Sequence, residues 1–332
     1  MRLTAEDEGL HLPGGHPGWS ESRYVDVFDR AHRVGAWLRL GCRPNQARAD
    51  VSVCVYLPDG RVAVWFDRPE LTRHGFAAGG LRWDVVEPFR HSRAQFRGEV
   101  VVLDDPWALT DPGPALRTGA RVRCELDLEC WGDGLASVMG FDQAHIDGIF
   151  LPGQADHHYQ HLVRSTGTIT VGAERWDIDG RGGRDQSWGP RNWHAKRIFR
   201  WLTGAGDDGS GFMVTRGVAP TAQRRGGFVW DDGHFHLVDD FDMRNAFAGP
   251  PHFELRETWL RIRSGERQWT AAGRPLSWVP LRHRQPGPDG TRATLRIVKA
   301  PMEWVMDGVT GGVGMAEYHD LMENGRPAGL GE

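Results

Sequence analysis

Residues 49–66, ADVSVCVYLPDGRVAVWF, decide the fold class. Val51, Val53 and Val55 alternate with Ser52 and Cys54, Pro58-Asp59-Gly60 supplies turn chemistry, and Val62, Val64 and Phe66 alternate on the way back. Successive side chains of a strand point to opposite faces, so the pattern predicts a β-hairpin with an apolar face. It recurs around Gly172 in GTITVGAERWDIDG, which sets Ile169 and Val171 against Trp176 and Ile178. It recurs again around Asp232-Gly233 in GGFVWDDGHFHLVDDF and around Ser264-Gly265 in FELRETWLRIRSGERQWTAAG. A last pair of strands runs through ATLRIVKAPMEWV and GGVGMAEYHDL, and helical spacing is hard to find over any long window. The chain is predicted to be all-β, a meander of short-turn strands closed as a barrel or folded as a barrel-like sandwich.

A length of 332 residues accommodates one large domain or two medium ones. Pro-rich breaks in LDDPWALTDPGPALRTG precede a fresh set of hairpins starting at RIFRWLTGAG, which places a boundary between residues 180 and 200. Two consecutive β domains, 1–190 and 191–332, packed together, are therefore expected. A ligand between them would follow the tendency of pockets to lie at domain junctions. Charged residues make up 25%, hydrophobic ones 39%, and the net charge is −4, an ordinary globular balance that calls for no nucleic-acid partner. The basic residues are nearly all arginine, Lys196 and Lys299 being the only lysines. Cys42, Cys54, Cys124 and Cys130 form no CxxC pair, so neither zinc nor redox chemistry is indicated. The N-terminal stretch has no basic start followed by an apolar run, and no segment approaches the ~18 apolar residues of a membrane helix. A cytoplasmic protein without a transmembrane segment is expected. Fifteen tryptophans beside four tyrosines suit a β structure built around an apolar cavity.

The stretch GRGGRDQSWGPRNW, residues 180–193, concentrates four glycines and two tryptophans around Asp185. It lacks the spacing of a phosphate loop, and no G-x-S-x-G elbow occurs. Upstream, His157 and His161 share one face of an extended strand while His158 points to the other, a poor arrangement for a shared metal. What remains is a carboxyl, Asp185, between Arg184 and Arg191, with Trp188 and Trp193 close by. A carboxylic acid that donates a proton needs burial to raise its pKa against the lowering effect of arginine. If the arginines turn away Asp185 can be an acid; if they clamp it, it belongs to a structural ion pair.

Residues 158–193, HYQHLVRSTGTITVGAERWDIDGRGGRDQSWGPRNW, with SRYVDVFDRAHRVGAWLRLGCRPN at 22–45 and GVGMAEYHD at 312–320, resemble the lipocalin-like superfamily that includes carotenoid 1,2-hydratase. The pattern is also similar to that of tocopherol cyclase, and the RDxSWGxRxW motif resembles that of little-characterised bacterial members. The core of the likeness is D-x-x-W-G at Asp185, Trp188 and Gly189, preceded by the pair His158 and Tyr159. The resemblance implies two lipocalin-like β-barrel domains, an apolar cavity, and Asp185 as proton donor to an alkene with His158 assisting. Gly183 stands where the hydratase pattern has an aromatic residue, a departure that bears on carotenoid hydration in particular. The expectation is thus an enzyme without cofactor or metal that hydrates, cyclises or isomerises an apolar isoprenoid, steroid-like or polyketide molecule. Asp185 would protonate a double bond, His158 would set its protonation or hold a water, and Tyr159 would relay a proton. Trp188 and Trp193 would stabilise the resulting cation, with Arg184, Arg191 and the second carboxylate Glu317 lining the substrate. The rival expectation is a non-catalytic carrier of lipophilic ligands, in which the glycines serve a structural corner.

Overall fold

The computed structural model describes residues 3–71, 75–140, 148–152, 156–191, 196–286 and 292–331. The chain divides into two units, the first comprising 1–105, 118–146 and 153–192, the second 106–117, 147–152 and 193–332. Two excursions from the first 190 residues therefore belong with the second unit. Trp107 stacks on His252 at 4.5 Å, and a Cβ on Gly217 would lie 2.7 Å from Leu151, which shows how closely these excursions pack there.

The first unit contains β1 (Trp19–Asp29), β2 (Val34–Arg43), β3 (Arg48–Tyr56), β4 (Val62–Asp67), β5 (Ala77–Ala78), β6 (Leu81–Glu87), β7 (His91–Leu103), β8 (Ala120–Trp131), β9 (His157–Val171) and β10 (Glu174–Pro190). The 49–66 hairpin forms as its alternation demands, with Val53 opposite Trp65 and Val55 opposite Ala63. At the next local hairpin Gly172 takes φ +60°, and β9 turns into β10 with Ile169 opposite Trp176. The long-range pairings then close the sheet. β1 pairs with both β2 and β10, and β4 returns to β7 through Val62–Leu103 and Val64–Val101. Strands β1–β4 and β7–β10 thereby form an eight-stranded antiparallel barrel, with the β5–β6 hairpin laid along β7. Closure removes the open edges that a sheet of this size would otherwise expose. The interior is packed with side chains such as Val25, Leu38, Val53, Phe96, Leu126 and Ile169.

The glycine-rich run lies within the continuous strand β10 and is not a turn between domains, contrary to the structural-corner expectation. A Cβ on Gly182 would lie 2.1 Å from the carbonyl oxygen of Asp26, and one on Gly180 2.6 Å from that of Phe28. Glycine is needed there because β1 crosses too closely for a side chain.

The second unit contains β11 (Ile198–Ala205), β12 (Gly211–Ala219), β13 (Ala222–Asp231), β14 (His234–Leu237), β15 (Asp240–Phe247), β16 (Leu255–Ser264), β17 (Arg267–Pro275), β18 (Val279–Pro286), β19 (Arg292–Met306), β20 (Val309–Glu323) and β21 (Arg326–Pro327). They pair in the order β14-β13-β12-β11-β20-β19-β17-β16-β15, with β18 on β19 and β21 on β20. The amides of Val238 and Asp239 donate to Gly227 of β13 and Arg263 of β16, which joins the two ends of the path. This unit has its own core, including Leu202, Phe212, Val214, Leu260, Met302 and Trp304. Beside it Arg200 and Asp320 form a buried pair at 2.8 Å. No helix among the described residues is long and apolar enough to cross a membrane.

Candidate functional site

The register of the first barrel sorts the 157–191 motif onto two faces. Arg184 of β10 lies opposite Val25 of β1 and His161 of β9, on the inner face. Asp185 must then point outward, in a row with Tyr24 of β1, Arg39 of β2 and Gln160 of β9. The adjoining outer row holds Gly41, Ser22, Ser187 and His158.

On this outer face His158 Nε2 lies 3.8 Å from Asp185 Oδ1, with side chains 11% and 20% exposed. Ser22 and Ser187 bring their hydroxyls to 3.1 Å of each other, and Arg191 Nη2 donates to both. Arg39 Nη2 is buried and has no hydrogen-bond partner among the described residues. Burial alone would raise the Asp185 pKa, but the nearby imidazole of His158 opposes it. Together with the charges of Arg191 and Arg39, the imidazole holds the carboxyl below its ordinary 3.8. Burial pushes Arg191 down to about 9, with the charges of Arg39 and Arg43 adding to it, and holds Arg39 below its ordinary range, with the charge of Arg43 adding there. The outer face therefore presents an ionised carboxylate beside an imidazole, flanked by two guanidinium groups.

The inner face carries a different network, built around the N-terminal segment. A turn of 3-10 helix at Ala5–Glu8 sends Glu8 into the barrel, where Arg184 donates to both of its oxygens and Phe89 N donates to Oε1 at 3.0 Å. Both side chains of this pair are 2% exposed. Arg184 also donates to Tyr159 Oη at 3.2 Å, and that hydroxyl donates to Gln186 Oε1 at 3.0 Å. Arg23 bonds Gln186 Oε1 and the Glu8 carbonyl. His11 sits 2.8 Å from Glu21 and stacks on Trp188 with ring centroids 3.8 Å apart. Burial opposes the charge of Glu8, but the charge and hydrogen bonds of Arg184 lower its pKa to about 2. Burial drives His161, facing the same pair, down to about 3, with Arg184 adding to the effect.

The structure brings together Asp185, His158 and Arg191. It separates from them Tyr159, Arg184 and Trp188, whose inner positions remove Tyr159 as a relay to Asp185 and occupy the Trp188 ring with His11. Arg184 turns away from Asp185, while Arg191 remains on its side. Glu317 belongs to the second unit, where Lys299 Nζ donates to its Oε1 and His319 Nε2 lies 3.1 Å from its Oε2. Burial and the charges of Lys196 and Lys299 hold His319 well below 6.5. Trp193 lies outside the described residues. Sequence reasoning missed Arg39, Tyr24, Ser22 and Ser187. For Ser22 and Tyr24 the signal was the run of polar residues at every second position, Ser22, Tyr24 and Asp26, of a strand whose other face carries Val25 and Val27.

These barrels define the class of protein: a two-domain chain of lipocalin type, nearly all β. The chain belongs to the family described as Domain of unknown function (DUF7064), whose model matches residues 4–322. No curated protein matches it in sequence. Among solved structures it is similar to an AttH candidate from Nitrosomonas europaea, with TM-score 0.56 and 15% identity over 92% of this chain and 94% of that one. It is likewise similar to CghA solved with Sch210972, with TM-score 0.55 and 15% identity over 91% and 88% of the two chains. Kievitone hydratase from Nectria haematococca aligns with TM-score 0.51 and 10% identity over 91% and 88%. At such identities the likeness is one of fold.

Proposed function

We propose that this protein is an enzyme of hydratase or cyclase type, with His158 as the proton-carrying group and Asp185 as its ionised partner. The substrate would be an apolar small molecule bearing a carbonyl or phenolic oxygen. The observation that carries this reading is the His158–Asp185 pair on the outer face, with Asp185 held anionic. A carboxylate beside an imidazole orients the ring, and with Asp185 already ionised the imidazole is the member of the pair that gives and takes the proton. That reverses the roles expected from sequence, where Asp185 was the donor.

The cations narrow the chemistry. Arg39 and Arg191 disfavour a carbocation near Asp185 and favour charge developing on an oxygen, as in an enolate or phenolate. The unpartnered Arg39 Nη2 is the donor that such an oxygen would satisfy. Addition of water would then join the hydroxyl to one carbon of a conjugated double bond. His158 would take the proton that the attacking water loses and return it to the other end, or to the oxygen that carries the charge. The fold is shared with a protein named a hydratase, which supports the class and leaves the substrate to the residues of this site.

Turnover in D₂O tests the proposal on a panel of apolar enones, chalcone-like phenols, terpenoids, steroids and polyenes, read by mass spectrometry. Deuterium should enter the product, and His158→Gln and Asp185→Asn should each lower kcat by about 10²–10⁴-fold. Arg39→Met should lower kcat and kcat/KM together, by about 10²–10³-fold, because the charge it meets develops in the transition state. Binding of panel compounds without turnover would return the protein to the carrier reading, and turnover indifferent to both substitutions would refute the roles given to His158 and Asp185.

A further inference from the structure

The second unit holds a cavity of about 480 Å³ at the end of its barrel, between the β11–β12, β13–β14 and β19–β20 turns. Its volume is that of a site for a small organic molecule. Phe212, Val229, Ile262 and Met306 make the wall apolar, and the indoles of Trp230 and Trp269 complete it. Val309, 68% exposed, carries the apolar surface out to the mouth. Four carboxylates, Asp207, Asp208, Asp231 and Asp307, also line the cavity, and among the described residues no lysine, arginine or histidine does.

Three of these carboxylates are fixed by neutral donors, Asp208 by the amide of Ser210 at 2.9 Å and its hydroxyl at 2.7 Å. Trp269 Nε1 bonds Asp231 at 3.1 Å, which also anchors the indole, while Thr270 bonds Asp307 through its amide at 2.6 Å and its hydroxyl at 3.0 Å. Arg267 approaches Asp231 at 4.0 Å and offsets part of one charge. An anion entering this space meets like charge, and a neutral molecule gains only apolar burial. A cation with an apolar body gains burial, Coulombic attraction and contact with aromatic faces. We infer that this cavity binds an organic cation, a quaternary ammonium or amine on an apolar body. The site lies within the second unit and is independent of the His158–Asp185 pair.

Benzyltrimethylammonium and its uncharged carbon isostere, neopentylbenzene, are the probes, with tryptophan fluorescence and calorimetry as readouts. The cation should bind about tenfold more tightly at low salt, and the preference should shrink at 0.5 M salt as the charges are screened. In Asp231→Asn/Asp307→Asn, whose amides keep the acceptors for Trp269 and Thr270, the preference should fall severalfold, Asp207 and Asp208 keeping the remainder, while affinity for the neutral probe is unchanged. Equal or tighter binding of neopentylbenzene to the wild type refutes the inference without any variant. A preference undiminished by the double substitution in a folded protein refutes it as well.

Discussion

Replacing Glu8 by Gln preserves the side chain's shape and removes its charge from the barrel interior, where Arg184 is 2% exposed and donates to both carboxylate oxygens. The pKa of Glu8 falls from 4.5 to about 2, which at about 1.4 kcal/mol per pH unit corresponds to about 3 kcal/mol favouring the folded state. Breaking a buried pair by neutralising one partner costs about 3–5 kcal/mol, in agreement. Because the folded pKa is depressed, the contribution is complete above the unfolded value of 4.5 and is lost as pH falls toward about 2. Hydrogen exchange of β1, β9 and β10 peptides in a urea series is the appropriate assay, since two units need not unfold together. The gap between wild type and Glu8→Gln should be about 3 kcal/mol at pH 7 and shrink below pH 4.5, to under about 1 kcal/mol by pH 2.5. A gap under about 1 kcal/mol at pH 7, or one constant across that range, refutes the reasoning.

Gly182→Ala should destabilise the first unit by about 3 kcal/mol, because its Cβ would fall 2.1 Å from the Asp26 carbonyl oxygen, and the same exchange assay reads the loss. Asp320→Asn should destabilise the second unit by about 3 kcal/mol by leaving Arg200 a buried charge; exchange confined to β11 and β20 checks it. His11 should titrate above 6.5 by NMR, since its bonds to Glu21 and Asp7 outweigh burial, and Glu21→Gln should bring it down. The raised pKa means that its stabilisation is full below 6.5 and fades as pH rises through the folded value.

The strands were legible in sequence because their signals are local. In residues 49–66 the alternation and the Asp59-Gly60 turn sit within one hairpin, and the barrel forms it unchanged. Barrel closure was not legible, since β1 finds β10 more than 150 residues away and nothing in either strand names its partner. Alternation does place Arg184 and Asp185 on opposite faces, but which face is interior depends on that distant pairing. The partner of Arg184 is Glu8, 176 residues upstream, which no spacing rule connects to it. The glycines of 180–183 resemble a turn because flexibility and close approach select the same residue; only the crossing of β1 tells them apart.

The ionisation of Asp185 is the most direct test of the proposed site, followed as the ¹³C titration of its carboxyl carbon in wild type and His158→Gln. If the carboxylate is the anionic partner of His158, its midpoint lies below 3.8 in the wild type and rises when the imidazole is removed. A wild-type midpoint at or above 3.8, or one indifferent to His158, contradicts the assignment of the proton to the imidazole.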